Sequence, residues 1–216
     1  MISAQQALEK LIRGNARYVA DVQLGGLNAC QTRRNELIDG QEPFAIILGC
    51  SDSRVPAEII FDQGLGDLFV IRVAGNVVAP SQVGSVEFAA EMFNTKLVVV
   101  MGHTQCGAIQ ATLDELEHPK TNRSPNLRSI VDRIRPSVEP LLETELRHDK
   151  KELLEQSIRT NILYSADRLR HGSKILKRLI NKGELLVVSA EYSLETGVVE
   201  FFESIRKPPS TSIDSS

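Results

Sequence analysis

Two short segments carry the residues whose types could do chemistry. Cys50-Ser51-Asp52-Ser53-Arg54 sets a thiol, a carboxylate and a guanidinium within one loop-length of chain, and His103-Thr104-Gln105-Cys106-Gly107 sets an imidazole three residues before a second thiol. Thiolate and imidazole are the donors that zinc prefers. The spacing of His103 and Cys106 would let one helical turn aim both at one ion. Cys50 would then be a third ligand, supplied from a different loop. Structural zinc sites usually close with four protein ligands, often as two close pairs. Here one close pair meets one distant cysteine, and no second Cys or His lies near Cys50. Three ligands leave a position open, which is the catalytic arrangement. Each residue alone has a plainer use: His103 as a hydrogen-bonded group at a helix start, each cysteine as a small buried hydrophobe. Their joint occurrence with Asp52 and Arg54 favours the metal.

Asp52 and Arg54 could be a solvated ion pair worth little. Beside Cys50 they have a further use. A carboxylate two residues from a ligand reaches the metal or the water on it, and a guanidinium fork can hold that carboxylate ionised and off the metal. A cysteine-phosphatase reading of Cys50 with Arg54 fails on spacing. Three residues intervene, one of them the repelling Asp52, where a longer phosphate-cradling loop is needed.

The elements around these segments must bring them together. FAIILG from Phe44, DLFVIRV from Asp67, KLVVVMG from Lys96 and ELLVVSA from Glu184 are short, β-branched and nearly all apolar. Such runs read as strands buried on both faces of a parallel sheet. Helical patterns alternate with them, roughly Val55–Phe61, Gln82–Phe93 and Gln105–Leu116, and Asn126–Lys182 reads as mostly helical with Pro136 and Pro140 marking turns or kinks. The fold class is therefore α/β: an open, mostly parallel sheet of about four parallel strands flanked by helices. GVVEFF from Gly197 follows ELLVVSA too closely for a crossover, so it should be an antiparallel edge strand. Both chemical segments follow directly on strands, and ligands in such sheets bind beyond the strands' carboxyl ends.

Residues 1–40 read as an N-terminal helical arm. Ala4, Ala7, Leu8, Leu11 and Ile12 share one helix face, and a second short helix covers roughly Ala29–Ile38. The arm could lie on its own domain or on another subunit. One domain over 1–206 is expected, followed by a disordered Pro/Ser-rich tail at 207–216. A net charge of −3 offers no electrostatic case for nucleic acid. No apolar run is long enough to span a bilayer, and the N-terminus lacks the apolar stretch of a signal peptide. A cytoplasmic location is expected, in keeping with three cysteines rather than a disulfide framework. Cys30 reads as a free thiol without a catalytic task, and His118, His148 and His171 as bystanders in polar segments.

At CSDSR (Cys50–Arg54) and GHTQCG (Gly102–Gly107) the chain resembles the β-class carbonic anhydrases. FVIRVAGN from Phe69, GSVEFA from Gly84 and L-x-x-G-N-x-R from Leu11 extend the likeness over nearly the whole chain from Ala4 to Phe202. The resemblance implies zinc-dependent reversible hydration of carbon dioxide. It implies Cys50, His103 and Cys106 as ligands of one Zn2+ per chain, Asp52 with Arg54 as the catalytic dyad, and a homodimer or homotetramer with the site near the dimer interface. Gly107 would offer its N–H to a substrate or product oxygen. Gln41 matches a substrate-binding glutamine of the plant-like branch, and Phe69 a phenylalanine of its apolar carbon dioxide pocket, though Phe69 could equally be plain core. One branch closes its enzyme through a bicarbonate site built on a tryptophan, an arginine and a tyrosine. Arg72 and Tyr192 stand at the last two positions, but Ile47 replaces the tryptophan. The open-site branch is therefore expected. Relatives that hydrolyse carbon disulfide or carbonyl sulfide share every ligand and form the alternative, as does a non-catalytic zinc protein, against which the intact dyad argues.

Overall fold

A computed structural model describes residues 2–24, 30–119 and 124–202. Five strands form one sheet: β1 (Ala45–Gly49), β2 (Leu68–Arg72), β3 (Leu97–His103), β4 (Leu186–Tyr192) and β5 (Val199–Phe201). Their order is β2-β1-β3-β4-β5. The first four run parallel, and β5 is antiparallel to β4 at the edge. This is the mixed sheet that the apolar runs imply. Every residue of β1 and β3 is buried, as central strands covered on both faces must be.

The sheet divides two cores. Ile46, Leu48, Val98 and Val100 face one, built with α4 (Pro80–Met92), α5 (Gly107–Glu117), α6 (Pro125–Val138), α7 (Lys150–Gly172) and α8 (Lys174–Asn181). Ala45, Ile47, Val99 and Met101 face the other, built with α1 (Ala4–Val19) and α3 (Ala57–Ile60). The period-two alternation of side chains along each strand makes this division. The helix α2 (Gln31–Glu36) buries no residue.

Several helix boundaries differ from the pattern reading, each for a local reason. α4 begins earlier, because Pro80 sits in its first turn, where proline's fixed φ and missing N–H cost nothing. α5 begins later, at Gly107, because Gln105 has φ 56° and cannot be helical. Pro136 does not break α6. It lies inside the helix, which ends two residues later at Val138, and Pro140 is the second residue of the 3-10 turn Glu139–Glu143 that follows. Ala29 and the tail 207–216 lie outside the described residues. No described helix is long and apolar enough to cross a membrane.

The arm's first helix lies on its own domain. Ser3 and Gln6 cap it reciprocally, and Ala7, Leu8 and Leu11 are buried against Ile47, Val99 and Met101. Buried Asn15 ties it down: its Nδ2 donates to Ile60 O (3.2 Å) and Gly197 O (2.8 Å), while its Oδ1 accepts from Val199 N (2.9 Å). Arg17 Nε donates to Asp62 Oδ2 at 2.5 Å. One helix thus anchors α3 and the edge strand β5 together. Replacing Asn15 by leucine strands those backbone groups without partners, each worth about 1–3 kcal/mol. Asn15→Leu should lower the unfolding free energy by that order, read as a lower denaturant midpoint; an unchanged midpoint would show that α1 is not held by this side chain.

Candidate metal centre

β1 and β3 are parallel neighbours with Gly49 opposite Met101, so both end at the same sheet edge. Cys50 is the residue after β1, and His103 is the last of β3. Cys106 is the N-cap of α5. The ligand atoms of these three residues lie within 4.8 Å of one another, and all three side chains are buried. The fold thus joins the residues that the spacing proposed, but not through a helical turn. His103 and Cys106 are connected by a tight reversal at Thr104 and left-handed Gln105.

That reversal is pinned from the end of the neighbouring strand β4 and the turn after it. Thr104 N donates to Tyr192 O at 3.0 Å. Thr104 Oγ1 and Gln105 Nε2 donate to the two oxygens of Glu195, at 2.8 and 2.6 Å. These donors hold the Glu195 carboxyl below the usual carboxylate range. Glu195 was invisible in the sequence, because its partners are some ninety residues away.

The imidazole is oriented as a metal ligand requires. His103 Nδ1 lies 2.8 Å from Thr104 O, so it carries the proton and donates. The lone pair is then on Nε2, which is buried and has no hydrogen-bond partner. Buried polar atoms without partners are rare, and this one faces two sulfurs. A cation among the three donors satisfies it. Burial pulls the His103 pKa down, but the Cys50 sulfur and the Thr104 carbonyl outweigh it and raise the net value.

The two thiols are too close to ionise independently. The hydrogen bond from Cys106 stabilises the Cys50 thiolate against the opposing cost of burial and lowers its pKa to about 4. Cys106 moves up, chiefly because it serves as that donor and because burial disfavours a second charge. Without a cation the pair keeps one proton between them. With a divalent cation the repulsion that retains it disappears. Gly75 N also donates to Cys50 Sγ, at 3.4 Å.

Asp52 sits on the solvent side of this cluster. Arg54 grips it in a fork, Nε to Oδ1 at 2.9 Å and Nη2 to Oδ2 at 2.8 Å, and the Arg54 N–H adds a third bond to Oδ1 at 3.0 Å. The guanidinium holds the Asp52 carboxyl well below the usual carboxylate range, so it is ionised at any working pH. Its Oδ2 is 3.8 Å from His103 Nε2. Arg72 holds the loop's backbone, with Nε to Cys50 O at 3.1 Å and Nη2 to Asp52 O at 2.6 Å. The Tyr192 hydroxyl is 3.1 Å from that of Tyr18. Both side chains at the would-be bicarbonate positions are thus already engaged.

Other residues singled out from the sequence lie elsewhere. Gly107 opens α5 directly after Cys106, where an added Cβ would meet nothing within 4 Å. Gln41 is exposed in a hollow with Arg33, Glu36 and Leu37, before the start of β1. Cys50 is at the other end of that strand, about 16 Å away at ~3.3 Å per residue. Phe69 pairs with Ile46 in register and packs against Phe88 and Phe93, its ring 6.3 and 6.0 Å from theirs. Phe69 packs against the core that also holds Cys50 and Cys106, and Gln41 lies before the opposite end of β1. Cys30 is exposed and apart from it, and His118, His148 and His171 are exposed.

A family model described as carbonic anhydrase matches residues 45–199. A carbonic anhydrase of Mycolicibacterium smegmatis is 37% identical, covering 92% of this chain and 92% of its own. Carbonic anhydrase 2 of Mycobacterium tuberculosis is 37% identical over 91% of this chain and 90% of its own. Among solved structures, the β-carbonic anhydrase CafA of Aspergillus fumigatus superposes with a TM-score of 0.70 at 25% identity, covering 94% of this chain and 92% of that one. The matched segment runs from the first residue of β1 to the first of β5 and so contains the whole Cys-His-Cys cluster and its dyad; the chain belongs to the carbonic anhydrase family.

Proposed function

We propose that this chain catalyses the reversible hydration of carbon dioxide to bicarbonate and a proton, with Cys50, His103 and Cys106 holding one zinc ion. The observation that carries this reading is the partnerless Nε2 of His103, buried between two sulfurs beside a carboxylate locked by arginine. When bound, zinc supplies a Lewis acid that brings the pKa of a water from its bulk value toward ~7. Three protein ligands leave a place for that water, because Arg54 occupies both oxygens of Asp52.

The remaining steps belong to the chain's own groups. Asp52, ionised and fixed, accepts a hydrogen bond from the attacking oxygen and so turns that oxygen's free lone pair toward the substrate. Arg54 keeps Asp52 an acceptor by holding its charge. Arg72 fixes the carbonyls on either side of Ser51, which sets the distance from the dyad to Cys50. The Gly107 N–H, at the positive end of α5, donates to an oxygen of the substrate or product. Gln41 and Phe69 serve a site by approaching it from a second chain. We therefore assign the working unit as a homodimer or a larger assembly of dimers, acting in the cytoplasm. The engaged Arg72 and Tyr192, together with Ile47, support an open zinc site without a bicarbonate lock.

Two thiolate ligands neutralise the ion's formal charge, so its water should be less acidic than at a three-histidine site. Stopped-flow hydration by the zinc-loaded protein should therefore rise with pH into the alkaline range. The depressed pKa of Asp52 leaves it ionised throughout, so protonation of Asp52 does not set that rise. A rate flat from acid to alkaline pH contradicts this account. Asp52→Asn should cost at least about 100-fold in rate while retaining zinc. Wild-type rates in that mutant would remove the dyad from the chemistry. In metal analysis, Cys30→Ser should keep one zinc per chain, whereas Cys50→Ser and Cys106→Ser should lose it; zinc loss in the Cys30 variant would mean that a ligand has been misassigned.

A further inference from the structure

Behind Cys50 a line of hydrogen bonds leads away from solvent into α7. Its first link is the Gly75 N–H on Cys50 Sγ. Gly75 has φ 66° and ψ 22°, and an added Cβ would lie 2.8 Å from Ile134 Cδ1. Glycine is therefore required here, and glycine leaves its own dihedrals soft. Something outside the residue must fix the direction of that N–H. The Gly75 carbonyl supplies the handle, since it accepts from Asn161 Nδ2 at 2.9 Å. The held carbonyl, with the next N–H of that peptide (Asn76) donating to Val73 O at 3.0 Å, fixes the peptide plane after Gly75 and so limits the directions open to its N–H.

Asn161 stands in the middle of α7, 1% exposed, where an amide is a poorer helix former than leucine and its burial is costly without partners. Its Oδ1 lies 3.3 Å from Ser137 Oγ of α6. The next residue, Ile162, packs on Gly102, where an added Cβ would come within 2.5 Å of it, directly before His103. One turn of α7 thus backs the strand ends that carry two of the three donors.

We propose that Asn161 is a positioning residue that acts on the metal through Gly75 and Cys50, setting how strongly the Cys50 sulfur donates. This rests on the reading of Cys50 as a zinc ligand. An N–H aimed at a thiolate draws electron density from it. The metal keeps more of its charge, and the acidity lost to two thiolate ligands is partly restored.

The test uses the full chain, loaded with cobalt(II) for spectroscopy and with zinc for retention and rate. Asn161→Leu keeps the bulk without the amide, and Asn161→Ala leaves room for solvent. Ser157→Ala is the control: it lies one turn earlier on the same buried face of α7, and its hydroxyl has no partner among the described residues. In the Asn161 variants the thiolate-to-cobalt charge-transfer band should move to longer wavelength. Because Cys50 also loses the support that orients it, zinc should pass to a chelator about ten times more readily, and with the sulfur donating more strongly the rise of hydration with pH should shift to higher pH. Ser157→Ala should change none of these. Matching cobalt spectra and zinc retention in wild type and both Asn161 variants would overturn the proposal. Failure of the wild type to give any cobalt–thiolate band would instead overturn the zinc reading beneath it. If neither variant folds, the wild type loaded with the spin-half isotope of cadmium decides. The Gly75 amide proton should then show scalar coupling to the metal through the Cys50 sulfur, and a clean absence of coupling rejects the first link.

Discussion

The structure depends on holding two sulfurs and an imidazole nitrogen within 4.8 Å of one another in a place that water barely reaches. Metal-free, that arrangement is frustrated. One thiol must keep its proton so that the other can ionise, and Nε2 of His103 lies among the sulfurs without a well-formed hydrogen bond. A flexible chain would separate the three groups and solvate them. This chain cannot, because Cys50 and His103 extend adjacent strands buried on both faces, with no freedom to slide against one another. The sheet's packing enforces a geometry that a bound cation would relieve.

Holding the donors takes backbone that regular structure does not provide. Gly75, Asn76 and Gln105 all have positive φ and all lie in the connections next to the cluster. For Asn76 and Gln105 such a conformation is unfavourable by itself and persists only where its surroundings over-determine it. Gln105 is fixed from one side by Glu195 and by the Tyr192 carbonyl, and the Gly75 turn is fixed from the other by Asn161. Neither support comes from the loop it supports. Both come from the chain after residue 150, which contributes no ligand and yet decides whether the ligands converge.

This explains what the sequence could and could not reveal. The parallel sheet was legible because β1 and β3 are unbroken apolar runs and the chemistry-bearing residues follow directly on them. The antiparallel β5 was legible from the shortness of the segment before it. The cluster was legible from donor types and from the rule that strand ends meet at one edge. The turn between His103 and Cys106 was not, since a three-residue spacing fits a helix as well as a reversal, and only the left-handed Gln105 separates them. Pro136 stands two residues before α6 ends, and Pro140 lies in the 3-10 turn that follows, so the two prolines mark the end of that helix and the turn after it. Glu195 and Asn161 gave no local signal at all. One is an acid among many on the surface, the other an asparagine in a long polar helix, and their meaning comes from partners some ninety residues away.

The two sides of the cluster also divide the work. On the sheet side the groups around it are neutral: a glycine N–H, a carboxamide, an isoleucine against a glycine. On the solvent side they are charged: Asp52, Arg54, Arg72 and Glu195. A charge on the buried side would perturb the metal without screening and would have to be paired there. Dipoles aimed at a sulfur adjust its donation by small amounts and need no counter-ion. The charged groups lie toward solvent, where water screens them. The fold therefore sets neutral hydrogen bonds behind the three donors and ionised groups in front of them, and the strand ends of β1 and β3 are the boundary between the two.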